Sequence, residues 1–430
     1  MRHWPWIWIA LGCSDKPALD TATEPVSTDP AVLLVSETSS GRILIVDPTN
    51  GAFTGEVCLR EIFPDSCSPG SSDLARPCLM FGFEHSRTGD ADTLLFTATL
   101  RDPDRPFAPS AIGQIDLGHP PDSHWAIRDL DFPKEWQQGF DCDADPEAPQ
   151  CHLYGAHTVE RLEDESLLVS DTSNSRILWI ESPEDGAHTG TVQAVLSSQH
   201  PQWGMTRYPN MIQSLLIDDQ PHLLVTLKGR AGTGRTPTNE GGIALWNVSD
   251  RTQPTKVWAF PDEGHLAAVH GGRVIETPDG KLLVYAHSLG AANPETGHRE
   301  GTVGFARFNG TDPPEYLADG RLPEPGFGFT REVEWAGDLN QLLVTDSGCE
   351  NAQDDCSRMG RVVTTALPIL TETDATGDAQ PDGENQVFVE LEWKRSAVDA
   401  ALELPFDTDR LPLSAVGPSL ENGLGNCPER

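Results

Sequence analysis

Residues 157–180 read HTVERLEDESLLVSDTSNSRILWI. Val159 to Leu162, Leu167 to Val169 and Ile177 to Ile180 are short apolar runs, separated by the polar turns Glu163 to Glu165 and Asp171 to Ser175. Runs of this length, rich in Leu, Val and Ile and bounded by Asp, Ser and Asn, are strands joined by tight turns. No apolar period of 3.6 residues crosses those turns, which disfavours a helix.

The middle strand of this unit recurs along the chain. Leu33-Leu34-Val35, Leu94-Leu95-Phe96, Leu167-Leu168-Val169, Leu223-Leu224-Val225, Leu282-Leu283-Val284 and Leu342-Leu343-Val344 follow one another at steps of 61, 73, 56, 59 and 60 residues. Each copy leads through a turn or loop into another apolar strand, and five have a strand before them. A repeat of this length with three or four strands per unit predicts an all-β, six-bladed β-propeller over residues 31–430. The first copy lacks a preceding strand, while Val387 to Trp393 supplies a spare one. Mixing the two chain ends in one blade would close the ring and remove exposed sheet edges. Two stacked β-sandwich domains are the alternative, but they do not explain the even spacing.

Composition points to an exported protein. Asp and Glu number 66 against 30 Lys and Arg, a formal net charge of -36 that disfavours nucleic acid or an anionic membrane surface as partner. Residues 1–13, MRHWPWIWIALGC, pair Arg2 with an apolar segment too short to span a bilayer. Leu11-Gly12-Cys13 resembles the end of a bacterial lipobox, although Ala10 departs from it and Pro5 interrupts the apolar run. That resemblance implies a lipidated Cys13 and a location in the cell envelope, periplasmic or at the outer membrane, with membrane contact through the anchor alone. Residues 14–30 read as a disordered acidic tether. Without Cys13, eight of the nine cysteines remain, an even number suited to disulfides. Cys58 with Cys67, Cys142 with Cys151 and Cys349 with Cys356 are near in sequence, leaving Cys78 for Cys427; zinc is the weaker alternative.

The repeat also predicts a mouth. Inner strands begin on one propeller face, and the loops joining second to third strands return to it. His85, His157, Gln213, His270 and Arg331 fall near inner-strand starts, and the loops carry Arg101, Arg105, Lys228, Arg230, Arg235, His287, His298, Arg299 and Arg358. Arginine and lysine gathered at one mouth suit sulfate, phosphate or carboxylate oxygens; the plainer reading is solvated loop charge. His157 aligns with Arg331 and His85 nearly so, whereas His270 aligns less well, and blades four and five place Gln213 and Gly272 at the equivalent position. A neutral imidazole there could be a nucleophile, a base or a packing residue. Hydrolase, metalloprotease and P-loop motifs are absent, and Asp141 to Glu147 and Asp374 to Glu384 lack EF-hand spacing. No metal or cofactor is called for.

The histidine heading LLVSDTSNSRILWIE, together with REVEWAGDLNQLLVTDSGCENAQDDCSRMGRVV in blade six, resembles the bacterial arylsulfotransferase-like six-bladed propellers. DTSNSRI is equally similar to NHL-type propellers, which mainly bind partners. The first resemblance implies sulfuryl transfer between phenolic compounds without a nucleotide, through a sulfated histidine. It would make His157 the nucleophile, His85 and Arg331 its partners, and Lys228 or Arg230 with His270 the anion-binding groups. The expected ligand is then a small anionic aromatic substrate, and on the alternative reading a protein or glycan held by a non-catalytic propeller. A monomer is expected in either case.

Overall fold

The computed structural model describes residues 31–412 apart from a set of loop segments, the longer ones being 64–78, 100–109, 118–124, 182–188, 198–207, 230–240, 288–300, 349–359, 369–387 and 397–404. Strands come in six groups. Ala31–Glu37 (β1), Arg42–Val46 (β2) and Phe53–Cys58 (β3) open the chain. Met80–Thr88 (β4), Ala91–Thr99 (β5), Ser110–Asp116 (β6) and Trp125–Ile127 (β7) make the second blade. Asp129–Asp131 (β8), Ala156–Arg161 (β9), Leu167–Asp171 (β10), Arg176–Ile180 (β11) and Thr189–Ser197 (β12) make the third, with β8 parallel to β12 on its outer edge. The opening stretch is thus β9, β10 and β11, three antiparallel strands in sequence order.

The fourth blade is Pro209–Ile217 (β13), Gln220–Leu227 (β14), Gly242–Asn247 (β15) and Thr255–Phe260 (β16). Val269–Thr277 (β17), Gly280–His287 (β18), Thr302–Asn309 (β19) and Asp312–Arg321 (β20) form the fifth, and Thr330–Ala336 (β21), Gln341–Asp346 (β22) and Arg361–Ala366 (β23) belong to the sixth. Three strands follow. Phe388–Glu390 (β24) pairs parallel to β20, Trp393–Ser396 (β25) completes blade six beside β23, and Pro405–Pro412 (β26) pairs antiparallel with β1. The first blade therefore runs β26-β1-β2-β3. The spare strand expected at Val387 to Trp393 is corrected by this pairing: that stretch extends the outer edges of blades five and six, and the innermost strand of blade one comes from farther along the chain.

Packing explains why the middle strands read Leu-Leu-Val. Side chains alternate between the two faces of a strand, and both faces of a propeller blade are covered by neighbouring blades. In β10, Leu167 and Val169 enter an apolar cluster with Leu95 and Ile112 of blade two, while Leu168 enters another with Leu223 and Val225 of blade four. In β1, Leu34 packs toward Phe96 of blade two and Leu33 toward Leu343 of blade six. Blades four and five, and five and six, share the remaining two clusters. Six clusters thus fill six inter-blade spaces, and the inner strands adjoin in the order β4, β9, β13, β17, β21, β26 and again β4. This is a six-bladed β-propeller.

Charged pairs fasten the axial ends of three blades. Asp171 lies opposite Arg176, Asp346 opposite Arg361 and Glu37 opposite Arg42 across the second and third strands, at 2.7, 3.1 and 2.6 Å. The same carboxylates accept backbone N–H groups from the segment leading into the inner strand: Tyr154 donates to Asp171 at 2.7 Å and Phe329 to Asp346 at 2.8 Å. The Asp171 and Asp346 pairs therefore each hold a third strand, a second strand and the approach to the first. Cys142 and Cys151 are disulfide-bonded as expected, and Cys58 is disulfide-bonded too; the remaining expected pairs involve residues outside the description. No helix among the described residues is long and apolar enough to cross a membrane.

The Asp171–Arg176 pair is almost wholly buried, with side-chain exposures of 0 and 5%. Asp171→Ala strands a buried guanidinium and is expected to cost about 3–5 kcal/mol, while Asp171→Leu combined with Arg176→Met should be close to neutral. Urea denaturation of the three proteins checks both.

Candidate functional site at the axial mouth

The inner strands carry an irregularity that repeats six times. In every blade the register between first and second strand shifts just after the first paired residue, so that two inner-strand residues face one residue of the second strand. Such a bulge bends a strand and re-aims a side chain. The first bulge residues are Phe81, His157, Asn210, His270, Arg331 and Phe406. Opposite them stand Thr97, Ser170, Thr226, Ala286, Thr345 and Ser36, a small hydroxyl in five of six. Three of these hydroxyls bridge blades: Thr97 donates to the carbonyl of His157 at 2.9 Å, Ser170 to that of Asn210 at 2.7 Å and Thr226 to that of His270 at 2.8 Å. Where Ala286 cannot donate, Gly271 brings blades five and six together instead; a Cβ on it would lie 2.8 Å from the Arg331 carbonyl oxygen.

Four consecutive ring positions are polar, and their hydrogen bonds fix their protonation. Asn210 Nδ2 donates to the His270 carbonyl at 3.2 Å and to His270 Nδ1 at 2.6 Å. The carbonyl can only accept, so the amide orientation is settled. Asn210 Oδ1 then faces His157 Nδ1, which must carry the proton and donate. His157 is left with Nε2 as its basic nitrogen. His270 is the opposite tautomer: Nδ1 accepts from Asn210 and faces an Arg331 guanidinium nitrogen at 3.5 Å, so the proton sits on Nε2. That Nε2–H is buried and has no acceptor among the described residues. A buried donor without an acceptor costs about 1–3 kcal/mol, and a ligand oxygen would relieve it.

Both imidazoles are held neutral. Burial is the largest cause, and the positive charges of Lys228 and Arg331 add to it, lowering His157 to about 3 and His270 well below its ordinary value of 6.5. Arg331 is itself buried, donates from Nε to Ser347 at 3.1 Å and lies over the Phe329 ring at 4.5 Å. Lys228 follows β14 directly and is tied by its backbone N–H to Tyr208. Phe81 packs on His157 with ring centroids 5.0 Å apart.

The structure thus brings His157, His270, Arg331 and Lys228 to one place and leaves others elsewhere. His85 is not in the ring: Phe81 holds that position in blade two, and His85 pairs with Asp92 at 3.0 Å near the opposite end of β4. Gln213 is likewise displaced by Asn210, and instead ties β13 to β17 through the backbone of Val274. His270, expected to align poorly, has the same rank in its strand as His157. The apparent gap at Gly272 disappears with it. His287 ends β18 opposite Val269, next to ring residue His270, and is fully buried there. Arg230 and the other loop cations, Arg101, Arg105, Arg235, His298, Arg299 and Arg358, lie outside the described residues.

No family model and no curated protein matches this chain. Among solved structures it is similar to a putative 6-phosphogluconolactonase from Bacteroides uniformis, at 10% identity and a TM-score of 0.44, covering 89% of this chain and 100% of that one. A periplasmic gluconolactonase from Pseudomonas aeruginosa gives 12% identity, a TM-score of 0.43, and coverage of 89 and 99%. A functionally unknown protein from Desulfotomaculum acetoxidans gives 11%, 0.42, and 88 and 98%.

With a folded-state value of about 3 against an ordinary 6.5, the neutral form of His157 persists through the physiological range. Its stability contribution is complete above pH 6.5 and is lost as pH falls toward 3. Nitrogen NMR of the imidazoles should show His157 as the Nδ1–H tautomer without titration between pH 5 and 8. Lys228→Met should raise its pKa.

Proposed function

We propose that the axial mouth binds a small organic anion and transfers a sulfuryl group between phenolic compounds through His157. The orphaned Nε2–H of His270 carries this reading: it is a buried donor, beside Arg331 and within the field of Lys228, that lacks an acceptor among the described residues. Sulfate-ester oxygens fit such a site, because preformed donors and cations stabilise charge that grows on them. The tautomer of His157 supplies the second half of the chemistry, a neutral imidazole with a basic Nε2. Phe81 beside it offers an aromatic surface to an aryl group.

In the first step Nε2 of His157 attacks the sulfur of an aryl sulfate. The bond from sulfur to the phenolic oxygen breaks, and the departing phenolate takes a proton from solvent. An acceptor phenol oxygen then attacks sulfur, the N–S bond breaks with its electron pair returning to Nε2, and the acceptor gives up its proton to solvent. His85 has no part in this scheme. Export to the cell envelope with a lipid on Cys13 belongs to the same reading, supported by the disulfides of Cys58 and Cys142.

Purified protein supplied with 4-nitrophenyl sulfate and phenol should release 4-nitrophenolate in a phenol-dependent manner. His157→Ala should reduce turnover to background, Arg331→Met should lower it about 100-fold, and His85→Ala should retain it. Absence of turnover in the wild type, or turnover unchanged in His157→Ala, overturns the enzyme reading. Binding of the ester without turnover would favour a non-catalytic propeller that holds a glycan or protein partner.

A further inference from the structure

A second pocket lies between blades three and four at the far end of the strands, remote from the axial mouth. It is formed by the β9–β10 turn, the β13–β14 hairpin and the segment after β15, and has a volume of about 440 Å³, within the range of small-molecule sites. Its floor is apolar and rigid: Leu168, Trp179 and Leu223 are each 1% exposed and belong to the core between these two blades. Leu216, 64% exposed, forms a lip that contributes apolar surface at the opening.

The polar groups of the wall are unequal in kind. Several of its side-chain donors are engaged within the wall. Arg251 binds Asp164 at 2.8 Å and donates to Ser166 at 3.3 Å, which straps blade four to blade three; Ser249 donates to Gln220 at 2.9 Å; Ser214 donates to Glu160. Acceptors remain. His222, 3% exposed, donates from Nδ1 to the Gln220 carbonyl at 2.9 Å, so its Nε2 is an acceptor, met only by Asn247 Nδ2 at the long distance of 3.5 Å. Glu163 lines the pocket and is exposed, and the exposed Asp250 stands next to the lining residues Ser249 and Arg251.

We infer that this pocket binds a small organic cation with an apolar body, such as an arylalkylammonium, whose N–H groups meet Glu163 and His222 Nε2 while its apolar part covers Leu168, Leu223 and Leu216. An anion would meet the exposed Glu163 carboxylate, and a purely apolar ligand would leave His222 Nε2 with its long contact to Asn247 alone among the described residues. The inference stands apart from the axial chemistry, since no residue is shared between the two sites.

Calorimetric titration with 2-phenylethylammonium and, separately, 3-phenylpropanoate tests it. The ammonium should bind at least tenfold more tightly than the carboxylate and weaken at high salt. Leu216→Arg and Glu163→Lys, both at exposed positions, should each weaken ammonium binding by about tenfold. Equal binding of the two probes, no binding of the ammonium, or ammonium binding unchanged in both variants overturns the inference.

Discussion

The whole axial site depends on one geometrical misfit, two residues of an inner strand set against one of its neighbour. In a regular strand the residues after Ala156, Pro209, Val269 and Thr330 would alternate between the two adjoining blades and be buried there. The bulge turns His157, Asn210, His270 and Arg331 toward the axis, and in blades two, three and four it frees the hydroxyl opposite on the second strand to bond across to the next blade. The hydroxyls of Thr97, Ser170 and Thr226 thus do structural work at the mouth. They hold His157, Asn210 and His270 by the backbone carbonyl, so that the side chain of each can be dedicated to the mouth.

The apolar repeat was legible because it has a simple cause: a middle strand covered on both faces must be apolar at consecutive positions, as Leu167, Leu168 and Val169 are. The site was less legible. From ring residue to Leu-Leu pair the chain runs 10 residues in blade three and 11 in blade six, but 13 in blades two and four, because the first hairpins differ in length. A constant offset taken from His157 therefore falls within one residue of Arg331, lands on Gln213 instead of Asn210, and comes beside His85 where Phe81 belongs. The bulge has no apolar signature of its own. A usable signal did exist on the second strand, where a small hydroxyl sits one residue before the axial end in Ser36, Thr97, Ser170, Thr226 and Thr345. The disulfide of Cys142 and Cys151 and the loop before β9 followed from spacing, whereas the closing strand at Pro405–Pro412 did not, since its PFDTDRLP is too polar to stand out.

Electrostatics at the mouth run against the chain as a whole. The protein carries a large negative charge, yet Lys228 and Arg331 act on two imidazoles inside an enclosed ring, where charges are screened less than at the surface. Neutral histidine is the outcome, because protonation would add a third positive charge to a site already poor in water. Asn210 matters as much as the cations. By donating to His270 and accepting from His157 it gives two chemically identical side chains opposite tautomers, one presenting a lone pair and the other a proton.

Blade one is built from the first and the last described strands, β1 and β26. During synthesis the edge of β1 must wait for nearly the entire chain before its partner emerges. Until then the ring lacks its sixth inner strand, β4 and β21 lack the neighbour that lies between them, and the mouth is open on one side to water. The ring of axial positions is therefore complete only after β26 has docked beside β1, so the order of the strands makes closure of the mouth wait on the last described strand.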